Sequence, residues 1–231
     1  NKFNVIMKKI ITFTLIILGL SSCSIVQSTS FNENDSGGIS FYLEMGEFVA
    51  KMGEDALKNQ MNELDFENKT NKMLENQTLI KFLDETKGVS DVQSIFDEKL
   101  YRFGVRLKFD NTTSLNNAIN RLKYYQKSEK DSSAVIDDFE YYNILDKKLI
   151  LNEPIMKKDN TEQTDGEKEQ GDEMAKMIFM VWKINFASRK IKKIDSEFDF
   201  KKKGKKQVSL VTNLIGIGER VSETIAVIHL K

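Results

Sequence analysis

The chain has 231 residues, its 35 Lys and Arg balance 35 Asp and Glu, and 40% of its residues are hydrophobic. That balance offers no basic field to a phosphate backbone, which excludes broad nucleic-acid binding. The apolar content is too high for a disordered chain, and a lone cysteine excludes an intrachain disulfide, so a fold must rest on burial alone.

Met7-Lys8-Lys9 leads into an apolar run from Ile10 to Leu20, which ends in Ser21, Ser22 and Cys23. As a helix the run reaches about 16 Å, roughly half a hydrocarbon core, so it is too short to span a bilayer. A basic start, a short apolar stretch and small residues before a cleavage point read as a secretory signal peptide, the alternative being an uncleaved hydrophobic helix. Residues 1–6 then lie upstream of a start at Met7.

Leu20-Ser21-Ser22-Cys23 resembles the lipobox of bacterial lipoproteins. The resemblance implies that the leader is removed and that Cys23 becomes the first residue, carrying a diacylglyceryl lipid and an N-acyl chain. Two acyl chains hold a protein stably on a membrane. No other cofactor and no metal is called for. Removing Lys2, Lys8 and Lys9 with the leader lowers the basic count from 35 to 32 against 35 acidic residues, a net charge of −3. The residues after Cys23 lack an acidic run, which favours the periplasmic face of the outer membrane.

The mature chain divides into a tether over 24–30, an α+β region over 31–156, a flexible polar loop over 157–173, and C-terminal strands over 174–231 that complete the same domain. Ile39, Phe41, Leu43 and Met45 alternate as in a half-buried strand, and Ile25 to Phe31 can pair with it across Asp35-Ser36-Gly37-Gly38. Asn32, Asn34, Ser36 and Gly37 imitate the start of a calcium loop. Leu43 stands where the bidentate glutamate belongs, so the reading is a hairpin turn.

From Gly46 to Leu64 the period lengthens. Phe48, Met52, Ala56, Met61 and Leu64 form the stripe of an amphipathic helix. Such a methionine-rich stripe is either core or an adaptable ligand-facing surface, with Phe48, Met52 and Met61 as its contact residues. A shorter helix carries Leu79, Ile80, Phe82 and Leu83 and is closed by Gly88. A second hairpin covers Val89–Asp97 and Lys99–Asp110. In its second arm Tyr101, Phe103, Val105, Leu107 and Phe109 alternate with Arg102, Arg106 and Lys108, which make either an anion patch or a solvated face.

Asn111 to Ser114 offers N-caps for a helix bearing Leu115, Ala118, Ile119, Leu122 and Tyr125. Phe139–Leu145 and Lys148–Leu151 follow as strands joined by Asp146-Lys147. Lys157 to Glu173 is dense in charge and reads as loop. Met177–Phe186, Ile191–Ile194, Phe198–Phe200, Val208–Leu214 and Thr224–Leu230 read as strands. The Lys201–Lys206 turn carries five lysines and reads as a solubilising hairpin tip, the alternative being contact with anionic headgroups at roughly 1 kcal/mol each.

The order of elements, with Asp35-Ser36-Gly37-Gly38, Lys108-Phe109, Ser114-Leu115-Asn116, Lys183-Ile184-Asn185-Phe186 and Ile191-Lys192-Lys193-Ile194, resembles a loose group of bacterial lipoproteins related to the LppM-type domain. Ala187-Ser188-Arg189-Lys190 stands where that group has Pro-Gly, and Trp182 lies upstream of that point instead of downstream. The resemblance implies an envelope-anchored α+β domain and transfers no catalytic residue.

The expected fold is therefore α+β, with antiparallel hairpins and two or three helices packed on one face. His229 is the only histidine, which leaves a histidine triad or metal site little to build on. Nucleophile elbow, phosphate loop and dinucleotide fingerprint are all missing, and Gly216-Ile217-Gly218 is too short to count. The leading expectation is a non-enzymatic envelope module, with the membrane as partner through the anchor and a lipid, peptide or envelope protein as ligand. The alternatives are an assembly subunit using an exposed sheet edge or the 157–173 loop, and a carboxylate hydrolase acting on envelope glycans through acids such as Asp137, Asp138, Glu44 and Glu47.

Overall fold

The computed structural model describes residues 23–46, 77–97, 100–128, 133–155, 176 and 178–231. The leader, the Phe48–Met52–Met61 stripe and the 157–173 loop lie outside these residues.

Strand β1 (Cys23–Phe31) folds back on β2 (Gly37–Glu44) as an antiparallel hairpin, with Phe31 opposite Gly37. Residues 24–30, expected as a tether, are thus strand from end to end. Ile25, Val26 and Thr29 are β-branched, and the Gln27 amide and the Thr29 hydroxyl both reach the Tyr142 hydroxyl. The 32–36 turn closes with Asn32 N–H donating to Ser36 O at 2.7 Å and Asp35 in the left-handed region (φ 64°). Where a calcium loop would seat its ion, this loop receives the guanidinium of Arg189. Nη2 donates to Asn32 O at 3.1 Å and to the Asp35 carboxylate.

β3 (Val89–Asp97) and β4 (Arg102–Phe109) form the second expected hairpin, and β4 docks on β2. Gly104 of β4 lies close against the β2 backbone. A Cβ there would come within 1.9 Å of Phe41 O and 2.6 Å of Tyr42 Cα. Backbone atoms in a paired strand cannot step aside, so Gly104→Ala is expected to lower stability by about 3 kcal/mol, read as a shift of the urea midpoint.

β7 (Ile178–Phe186) runs parallel to β1 on its other side, with Cys23 opposite Ile178 and Phe31 opposite Phe186. β10 (Gln207–Asn213) and β9 (Lys201–Lys203) then complete a mixed seven-stranded sheet, ordered β3-β4-β2-β1-β7-β10-β9. β1 is its middle strand. The remaining strands make a separate antiparallel sheet of four, ordered β5-β6-β11-β8: β5 (Tyr142–Leu145), β6 (Lys148–Asn152), β11 (Thr224–Leu230) and β8 (Ile191–Asp195). Asp146 and Lys147 both take left-handed φ in the two-residue β5–β6 turn, as such hairpins require.

Three helices appear among the described residues: α1 (Gln77–Asp84), α2 (Thr112–Ser128) and the single turn α3 (Leu214–Gly218). Asn111 caps α2, its Oδ1 accepting from Ser114 N–H at 3.0 Å. One face of the large sheet, α1, α2 and the small sheet share a single core. It runs from Phe31, Leu107 and Phe109 through Leu115 and Ile119 to Leu149, Leu151, Ile184 and Ile228. The fold is α+β, as expected, with the strands dominating and split between two sheets.

Candidate functional site

Cys23 opens the middle strand of the large sheet, and its surroundings follow from the register. One row of side chains crosses the sheet two residues further on: Phe96, Phe103, Leu43, Ile25, Met180 and Thr212. Deeper positions on the same face of β1 and β7 (Gln27, Thr29, Phe31, Trp182, Ile184 and Phe186) are buried, whereas this row is exposed at Phe96 and half-buried at Ile25, Leu43, Phe103 and Met180. On the opposite face, Val211 stands beside Val181 and is 60% exposed. Leu100, in the β3–β4 turn, is 43% exposed. Cys23 itself is half-buried and unpaired, and burial pushes its thiol pKa up, which makes it a poor thiolate nucleophile.

Beneath that row lies a buried polar trio. Gln27 Nε2 donates to the Tyr142 hydroxyl at 2.6 Å, and Thr29 Oγ1 is 2.9 Å from the same oxygen. Asn116 of α2 fixes Tyr142 from behind, donating to its carbonyl and accepting from its N–H, both at 2.9 Å. Trp182, opposite Gln27 on β7, is 1% exposed, and its Nε1 finds no hydrogen-bond partner among the described residues. A second buried site joins α3 to the end of β6, where Arg220 donates to the carbonyls of Ile217, Glu153 and Pro154. Neither site was legible in the sequence, since each joins groups far apart in the chain.

The other candidates from the sequence are dispersed. Arg102 pairs with Glu44 at 2.8 Å, Arg106 donates to Gln93 at 2.6 Å, and Lys108 meets Asp91 at 2.6 Å. The basic face of β4 is therefore a row of cross-strand pairs, not an anion patch. The hydrogen bond and charge of Lys108 hold the Asp91 carboxyl below its usual range. Asp137 pairs with Lys127, which leaves Asp138 as an ordinary exposed acid, and Glu47 lies outside the described residues. His229 Nε2 lies 2.8 Å from Asp195 Oδ2 on the small sheet. Lys193 first, then His229, keeps that carboxyl below its usual range. Leu20, Ser21, Ser22, Phe48, Met52 and Met61 are not among the described residues, and no helix of those residues is long and apolar enough to cross a membrane.

Sequence reasoning passed over Phe96, Leu100 and Val211. The signal was present for one of them: Leu210-Val211 is a consecutive apolar pair inside a strand, and with a side-chain period of two one member must face out. Phe96 shares the core face with Phe103 and is exposed because it lies at the end of an edge strand.

No family model matches the sequence, and no curated protein sequence matches it. Among solved structures, the NMR structure of the folded domain of LppM from Mycobacterium tuberculosis is similar to this chain with a TM-score of 0.37. The two are 9% identical over 90% of this chain and 89% of that one. A likeness of that size leaves the function to be argued from the residues.

Proposed function

We propose that the chain is a lipid-anchored envelope module, held on the membrane by acylated Cys23 and working by binding, not by catalysis. The carrying observation is the apolar end of the large sheet, with Cys23 in its middle strand and exposed Phe96, Leu100 and Val211 to either side. The Leu20–Cys23 lipobox supports the anchor. Burial raises the pKa of the Cys23 thiol, which argues against a catalytic nucleophile there.

The assembly-subunit alternative relies on an exposed sheet edge or on the 157–173 loop, and that loop lies outside the described residues. Both edges of the large sheet are blunted against pairing: β3 carries a register shift between Ser90 and Gln93 with Asp91 at positive φ, and β9 is three exposed lysines.

Expression of the full chain in bacterial cells tests the proposal. Wild type is expected in the membrane fraction and labelled by palmitate, while Cys23→Ser should lose the label and move to the soluble fraction. A wild-type chain that takes up no palmitate would sink it.

A further inference from the structure

We infer that the Cys23 end of the large sheet is itself seated in the bilayer interface, with Phe96, Leu100 and Val211 buried among headgroups and upper acyl chains. The inference rests on the reading of Cys23 as the acylated residue and adds to it a partner surface, membrane lipid, and an orientation.

The first support is the absence of slack. Cys23 is already paired with Ile178, and Ser24 with Phe179 and Glu44, so no linker separates the point of acylation from the fold. Acyl chains attached to Cys23 bring the end of the sheet to the headgroups with them.

The second support is what that end presents. Phe96 is level with Ile25 across β4 and β2, and Val211 is level with Val26 across β7. Along the strand axis both lie within about 10 Å of Cys23, at about 3.3 Å per residue. Apolar side chains of interfacial proteins reach about 5–10 Å into the headgroup and acyl boundary, so the depth matches. The two positions also flank the anchor. β3 lies three strands to one side of β1 and β10 two to the other, a span of about 24 Å at about 4.8 Å per strand. An anchor with apolar contacts on both sides holds a plate upright, where a single attachment point would let it swing.

The third support is charge. The Glu44 and Arg102 side chains at this end are paired with each other at 2.8 Å. The lysine-rich turn after β9 is at the far end: Lys203 is level with Ser30 through β10 and β7, and Phe186 N–H donates to Lys206 O. Seven strand residues, about 23 Å, separate the level of Cys23 from that of Ser30. An orientation that seats the apolar rim points the lysines away from the lipid. That orientation fits the reading of those lysines as a solubilising turn and sets aside the headgroup alternative.

The test uses the full chain, purified from bacterial membranes and reconstituted into phosphatidylethanolamine–phosphatidylglycerol vesicles. Because Cys23 is the only cysteine and is acylated, Phe96→Cys, Leu100→Cys and Val211→Cys each provide one free thiol for an environment-sensitive fluorophore. Lys203→Cys serves as the far-end control. All four positions are exposed, so the labels leave the core intact. Labels at 96, 100 and 211 are expected to shift to the blue and to be quenched several-fold more strongly by lipids carrying a shallow nitroxide than the label at 203.

Labels quenched no more than the control, on protein that floats with the vesicles, would overturn the seating while leaving the anchor intact. Rim labels that stay wet in vesicles but become shielded in native membranes would mean a protein partner covers this end, and would overturn it too. Wild-type protein that fails to float would remove the anchor, and the inference with it.

Discussion

Phe31→Ala is expected to lower the stability of the protein by about 3–5 kcal/mol, enough to unfold a marginal domain. Phe31 is 1% exposed at the end of the middle strand. Its ring packs edge-on against Phe109 of β4 and Tyr142 of β5, each with centroids 5.7 Å away, and stacks on Phe186 of β7 at 5.8 Å. Three strands from both sheets therefore meet on one side chain, and the rigid rings around it cannot collapse into the space that alanine would leave. Phe31→Leu keeps most of the volume and should lose much less. A urea titration that found the two variants equally stable would show that the cluster relaxes, contrary to this account.

Tyr142→Phe is expected to act in opposite directions at neutral and at alkaline pH. At pH 7 the Gln27 amide loses its buried acceptor and Thr29 its neighbour, at a cost of about 1–3 kcal/mol. Burial, above all other causes, pushes the pKa of the Tyr142 hydroxyl from 10.0 to about 12. The unfolded chain then gives up this proton first as pH rises. The stabilisation is complete below pH 10 and disappears as pH climbs through 12. For a shift of two units the loss is about 3 kcal/mol. Phenylalanine has no proton to lose, so the gap between wild type and variant should shrink from pH 10 upward and close or reverse near pH 12. Tyr141 is pushed in the same direction in both proteins and cancels from the difference. Denaturation midpoints at pH 7, 9, 10 and 11 check this, and a gap that stays constant would refute it.

What could be read from the sequence was whatever is local. In the β1–β2 and β3–β4 hairpins one arm alternates clearly, Ile39–Leu43 in β2 and Phe103–Phe109 in β4, and in all three hairpins turn residues join the arms, so each pairing can be read within twenty or so residues. The same alternation in Val208–Leu214 and Thr224–Leu230 identified two strands without revealing that they belong to different sheets. Residues 24–30 read as a tether because Ser24, Gln27, Ser28 and Ser30 are polar. Gln27 and Thr29 can lie buried in a strand only because the Tyr142 hydroxyl, over a hundred residues away, completes their hydrogen bonds. The cations of β4 looked like a possible anion patch for the same reason, since the glutamate, glutamine and aspartate that pair with them lie on the strands to either side. Cys23 was singled out by the Leu20-Ser21-Ser22-Cys23 pattern. The rim around it was not, because only the assembled sheet brings β3 and β10 to the same level.

The parallel pairing of β1 with β7 also decides when the protein can fold. The middle strand finds one of its two neighbours more than 150 residues further along the chain. Closing a loop of that length carries the full chain-entropy cost before any core contact repays it. Until the last third is present, β1 is an open edge and the small sheet lacks β8 and β11, so nothing compact can lock. If the chain is exported as proposed, and so threads through a membrane before it folds, this delay is useful. The segment that enters first stays extensible until the segment that enters last has followed it.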